Sequence, residues 1–96
     1  MLAQITTKIS SAAREVSAVQ HKIQMLEQTM ASAKNDWNNN VEGIQKTCNN
    51  LTQYKIFLEM EIDAQKATLD IQESNLRILN SIEKKIEHLE NSVASA

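Results

Sequence analysis

Residues 2–33 read LAQITTKISSAAREVSAVQHKIQMLEQTMASA, and their spacing decides the fold class. Leu2, Ile9, Val16, Ile23 and Met30 recur every seven residues, and Ile5, Ala12, Val19, Leu26 and Ala33 recur at the same interval three places later. Alternating three- and four-residue steps form the seam of a coiled coil, in which apolar knobs enter holes on a facing helix. Such a stripe has no interior of its own. The sequence therefore demands a partner helix, supplied by a second copy, a different chain or the chain's own other half.

Composition agrees. With no proline, one glycine (Gly43) and three aromatic residues in 96, the chain lacks the punctuation of a loop-rich domain and the bulk of a globular core. An all-α fold is expected, as a coiled coil or long helical bundle. Folded alone as one small domain, a chain of this size has little core to stabilise it, so oligomerisation or docking is expected.

Ten basic and 12 acidic residues leave a net charge of -2, which provides no general attraction to nucleic acid or anionic lipid. The single cysteine, Cys48, excludes an intramolecular disulfide and fits a reducing compartment. No apolar run reaches the roughly 18–20 residues of a membrane span, and the N-terminus lacks the layout of a signal peptide. An intracellular protein, cytoplasmic or nuclear, with no membrane insertion is expected.

The chain reads as a single coiled-coil module in three parts. Residues 1–37 form an N-terminal helical arm, residues 38–43 a stutter or loop, and residues 44–93 a C-terminal helix. The oligomerisation seam of the first arm continues through Trp37, Val41, Ile44, Cys48, Leu51 and Leu58, with a four-residue step that marks a stutter. Asn35, Asn38, Asn39, Asn40 and Gly43 cluster at the same place and favour turns. Two architectures stay open, one extended helix running through the stutter or a two-helix hairpin bending near residues 38–43. The unbroken apolar rhythm favours the rod, and the asparagine run favours the bend.

Beyond Tyr54 the helix is apolar on two sides. One stripe runs through Leu58, Ile62, Leu69, Leu76 and Leu79 and resumes as Ile82, Ile86, Leu89 and Val93; a second follows Phe57, Met60, Ala64, Ala67, Ile71 and Ile78. A helix with two apolar faces is usually surrounded by several helices. Trp37, Tyr54, Phe57, Met60, Ile71 and Ile78 are therefore candidates for docking a partner protein, while Gln65 and Gln72 at seam positions are expected to fix register.

Residues capable of chemistry are not arranged for it. His21 and His88 have no metal-ligand partner one helical turn away, and Glu59, Glu61 and Asp63 alternate, so they do not face one another as a carboxylate dyad. Glu73 and Arg77 are spaced for a surface ion pair. No phosphate loop, CxxC pair or nucleophile-base set is present, so no catalysis, metal or cofactor is expected. Asn50-Leu51-Thr52 matches a glycosylation sequon, a short pattern that recurs by chance.

The stretch Tyr54-Lys55-Ile56-Phe57-Leu58-Glu59-Met60-Glu61-Ile62, with Leu69-Asp70 and Glu73, resembles the closing segment of the intermediate-filament rod over about residues 51–76. That resemblance implies a parallel dimer assembling laterally and end to end. The sequence departs from the pattern at Gln65-Lys66-Ala67 and Ile71-Gln72-Glu73, and its helical pattern continues further. Length and a central tryptophan also resemble the small secreted helical hairpins of the WXG type, although Trp37-Asn38-Asn39 lacks their glycine.

These observations point to a non-enzymatic oligomerisation module, a dimer or tetramer of itself or a holder of helical subunits in a larger complex. Burial of the seam, at about 25 cal/mol per Å² of apolar surface, would drive assembly. A filament-forming structural protein and a secretion-associated hairpin or chaperone-like partner are the alternatives.

Overall fold

The computed structural model describes residues 1–95, and among them there are helices and turns but no strand. Helix α1 spans Leu2–Ala31, α2 Ala33–Asn38, α3 Ile44–Thr47 and α4 Leu51–Ser95, with a short 3-10 turn at Val41–Gly43. The chain divides into two units, one of Val19–Thr68 and one of Met1–Ala18 with Leu69–Ala96.

Within Val19–Thr68 the chain reverses direction and forms a hairpin, so the bend and not the rod is the observed architecture of this unit. The end of α1 already departs from ideality at Ser32 (φ -102°, ψ 11°). The Ser32 N–H is shared between the Gln28 and Thr29 carbonyls, each at 3.2 Å, and its hydroxyl donates to Asp36 Oδ2 at 3.0 Å. A short polar side chain thus competes with the helical ladder and separates α2 from α1.

The reversal itself uses left-handed backbone at Asn40 (φ 48°), Glu42 (φ 51°) and Gly43 (φ 73°). Asparagine and glycine enter that region readily, but glutamate does so at a steric cost of about 1–2 kcal/mol. Hydrogen bonds hold the conformation. Asn40 and Gly43 donate their N–H groups to the Trp37 and Asn40 carbonyls, both at 3.0 Å, and Asn40 Oδ1 accepts from the Gln45 N–H at 2.9 Å.

The C-terminal helix starts at Leu51 rather than at residue 44. Ile44–Thr47 forms a single separate turn, after which Cys48 is extended (φ -114°, ψ 142°). Asn50 then caps α4, its Oδ1 accepting from the Gln53 N–H at 2.8 Å, while Gln53 Oε1 accepts from the Asn49 N–H. The pair satisfies backbone donors that the helix start would otherwise leave without partners. Asn50-Leu51-Thr52, sequon in form, is in structure a helix start.

The core of this unit consists of Ala33, Cys48, Tyr54 and Leu58, with Leu26, Met30, Trp37, Ile44 and Leu51 packed around it. Val19, Ile23 and Ile62 are also buried. Ala33 is fully enclosed within this core.

In the other unit the beginning of α1 lies beside the far part of α4. Thr7, Lys8, Ser11, Ala12 and Glu15 share a groove with Asn75 and Leu79, and Met1 lines another with Ile86, Leu89 and Val93, so the arms run antiparallel. Ala12 and Val16 are buried, and Leu2, Ile5, Ile9, Leu69, Leu76, Leu79 and Ile86 are half-buried.

Candidate functional surface

The two apolar stripes of α4 have different fates. Buried or half-buried positions step through Leu51, Tyr54, Leu58, Ile62, Gln65, Leu69, Gln72, Leu76, Leu79, Glu83 and Ile86. After the paired four-residue steps at Tyr54–Leu58–Ile62, the alternation of three and four is unbroken to Ile86. The stutter of α4 therefore lies there, and the apparent four-residue steps between Trp37 and Leu58 are a turn and a helix break.

Several sequence expectations are corrected by this register. Tyr54 is a core residue, 9% exposed, and is not available for docking; the stutter rotates it onto the covered face. Burial, followed by the nearby Asp36, Cys48 and Glu42 charges, raises its phenol above the ordinary value of 10.0. Val41 is exposed because it sits in the reversal, and Leu89 is exposed near the end of α4. Ile82 is 37% exposed because Glu83 occupies the next seam slot. Trp37 is half-buried against the core, leaving it a packing residue. Arg77 donates to Ser74 Oγ at 3.0 Å, in place of the expected partnership with Glu73.

Half-buried polar residues on or beside the covered face are Gln65, Gln72, Glu73 and Glu83. The Gln72 Oε1 atom is buried without a hydrogen-bond partner, an unfavourable arrangement that an apolar residue would avoid. Cys48 is a free thiol buried in the core, which removes it from the surface where an intermolecular bridge would form.

The second stripe is uncovered. Phe57 is 52% exposed, Met60 65%, Ile71 71% and Ile78 59%, with Ala64 and Ala67 exposed between them. Placed on a heptad, Phe57, Ala64, Ile71 and Ile78 fall at one seam position and Met60, Ala67, Ser74 and Ser81 at the other. At 3.5 residues per turn this seam lies roughly 150° around α4 from the covered one. Asp63, Asp70 and Arg77 border it on one side, and Glu61, Thr68 and Asn75 on the other. The sequence identified the stripe as apolar; the serines at its second position hid its full heptad regularity.

His21 and His88 are exposed, and no group of three His, Cys, Asp or Glu side chains among the described residues could hold a metal ion. No helix of the described residues is long and apolar enough to cross a membrane. Comparison with known proteins finds no matching family model, no matching curated protein and no matching solved structure.

Proposed function

We propose that this chain is a non-catalytic assembly module that presents the second seam of α4 to another helix-bearing protein. The module would hold copies of itself or helical subunits of a larger complex together. The observation that carries this reading is the contrast between two seams on one helix. The first seam is covered by the chain's own α1 arm in each unit, whereas the seam from Phe57 to Ser81 keeps four large apolar side chains more than half exposed. Contiguous exposed apolar surface bordered by charge is characteristic of protein-binding faces.

The hairpin supports a second reading, a chaperone-like companion that covers a helical client with the same face. It weakens the filament reading, because Leu58 and Ile62, central to the filament-like stretch, are already buried within the chain. The free, buried Cys48 fits a reducing, intracellular compartment.

Affinity capture from the native cells with wild type and with Ile71→Asp tests the module. Proteins recovered by wild type and lost with the variant, at equal helicity, are expected. Identical recovery by both would remove the α4 face from the function.

A further inference from the structure

We propose that the occupant of the exposed α4 seam is the same seam of a second copy, running antiparallel, so that two α4 helices pair about a two-fold axis. This rests on the assembly reading and specifies its partner. The beat belongs to α4 alone, an uninterrupted helix from Leu51 to Ser95.

Two properties of the seam select that partner and direction. The first is volume. If two α4 helices cross about a two-fold axis at Leu69, Phe57 faces Ser81 of the other copy, Met60 faces Ile78, Ala64 faces Ser74 and Ala67 faces Ile71. A large side chain then meets a serine or alanine in two of these four layers, while Met60 against Ile78 joins two large side chains and Ala64 against Ser74 two small ones, so half of the layers have the complementarity that close packing favours. A parallel pairing would instead place alanine on alanine, serine on serine and phenylalanine on phenylalanine, alternating gaps with crowding.

The second property is charge. In the antiparallel register, flanking positions of the same kind approach one another, which sets Asp63 of each copy beside Arg77 of the other, twice by symmetry. Arg77 already leans over the seam to Ser74, 3.0 Å away, so its guanidinium is positioned at this border. Glu61 faces Asn75 and Thr68 faces itself. Asp70 meets its own symmetry mate, the single unfavourable layer. Parallel pairing would set Asp63 and Asp70 against Thr68 and Asn75 and leave Arg77 against Ile82, with no opposite charges joined.

Interface size sets the expected strength. Four side chains at 52–71% exposure, with the intervening alanines and serines, offer on the order of 500 Å² per copy, against roughly 800 Å² per partner in a standard interface. An area below the standard places the contact among weak, reversible interfaces rather than obligate ones.

Sedimentation equilibrium of the full chain tests the proposal, with circular dichroism to establish equal helicity of each variant. Wild type is expected to show a monomer–dimer equilibrium. Asp63→Arg and Arg77→Asp should each weaken it about tenfold, because each places like charges together, and their equimolar mixture should dimerise again through restored opposite pairs. Asp70→Asn should tighten it several-fold. A wild-type chain that stays monomeric at all concentrations would overturn the second copy as occupant, and dimers whose charge variants are not rescued by mixing would overturn the antiparallel register. Neither result touches the assembly module itself, whose failure is read separately in the capture experiment with Ile71→Asp.

Discussion

Gln45 reaches back across the chain reversal and donates its side-chain amide to the Trp37 carbonyl oxygen, 2.7 Å away. That oxygen also accepts from the Asn40 N–H at 3.0 Å, so an acceptor at the end of α2 receives a backbone donor from within the turn and a side-chain donor from beyond it. Replacing Gln45 with alanine should cost about 0.5–1 kcal/mol, and lower the thermal midpoint by several degrees for a chain of this size. Thermal unfolding followed at 222 nm measures it; an unchanged midpoint would show that solvent replaces the bond without loss.

At the other end of the reversal, Asn50 and Gln53 fix where α4 begins. Asn50→Ala should destabilise the fold by about 1 kcal/mol, whereas Asn50→Asp should retain most of the stability because a carboxylate also accepts the Gln53 N–H. Denaturant titration of the two variants compares them directly. Equal losses would argue against capping as the role of Asn50.

Gly43 and Glu42 make opposite predictions. Adding a Cβ at Gly43 meets nothing closer than Lys46 Cδ at 3.9 Å, so Gly43→Ala suffers only from its left-handed backbone, at about 1 kcal/mol. Glu42→Gly relieves the same strain at φ 51° and should stabilise by up to about 1 kcal/mol. Chemical denaturation midpoints should move in opposite directions.

Burial and neighbouring negative charge keep the Tyr54 phenol protonated beyond its ordinary pH range. The unfolded chain releases that proton first as pH rises past about 10, so it binds fewer protons than the native state there and stability falls with pH. The contribution is complete below the ordinary value and is lost as pH rises through the raised native one. Tyr54→Phe should remove this component, so that the wild-type and variant stability curves diverge above pH 10 and run parallel below it. Parallel curves throughout would place the phenol in water in both states.

Gln72 occupies a seam slot with its carbonyl oxygen buried and unpaired. Gln72→Leu should therefore stabilise the fold by about 1 kcal/mol or more, by removing a desolvated acceptor and adding apolar burial. Sedimentation of the same variant checks the register-fixing role expected of this residue. If leucine broadens the distribution of species, the glutamine contributes specificity at the expense of stability.

The helical class and the buried stripe of α1 were legible because a heptad repeat is local information. Ala12, Val16, Val19, Ile23 and Ala33, all named by the spacing, are all buried. The start of α4 was also written in the chain, since Asn50-Leu51-Thr52-Gln53 has the capping spacing, but the apolar rhythm running through Ile44, Cys48 and Leu51 disguised it. Tyr54 could not be placed from periodicity alone. Two successive four-residue steps move it between faces, and which face is covered depends on the arm opposite.

What the sequence by itself determined is a helix-forming chain with one regular apolar stripe and a second stripe from Phe57. Periodicity fixes these because side-chain direction repeats with the backbone whatever the partner. Only the tertiary structure decided that the first stripe is covered from within the chain. A heptad seam is satisfied equally by its own arm or by another molecule, and the choice depends on whether three residues in the reversal adopt left-handed backbone. Asn40 and Gly43 do so readily, but Glu42 does so only because the hydrogen bonds and packing around it hold the turn in place.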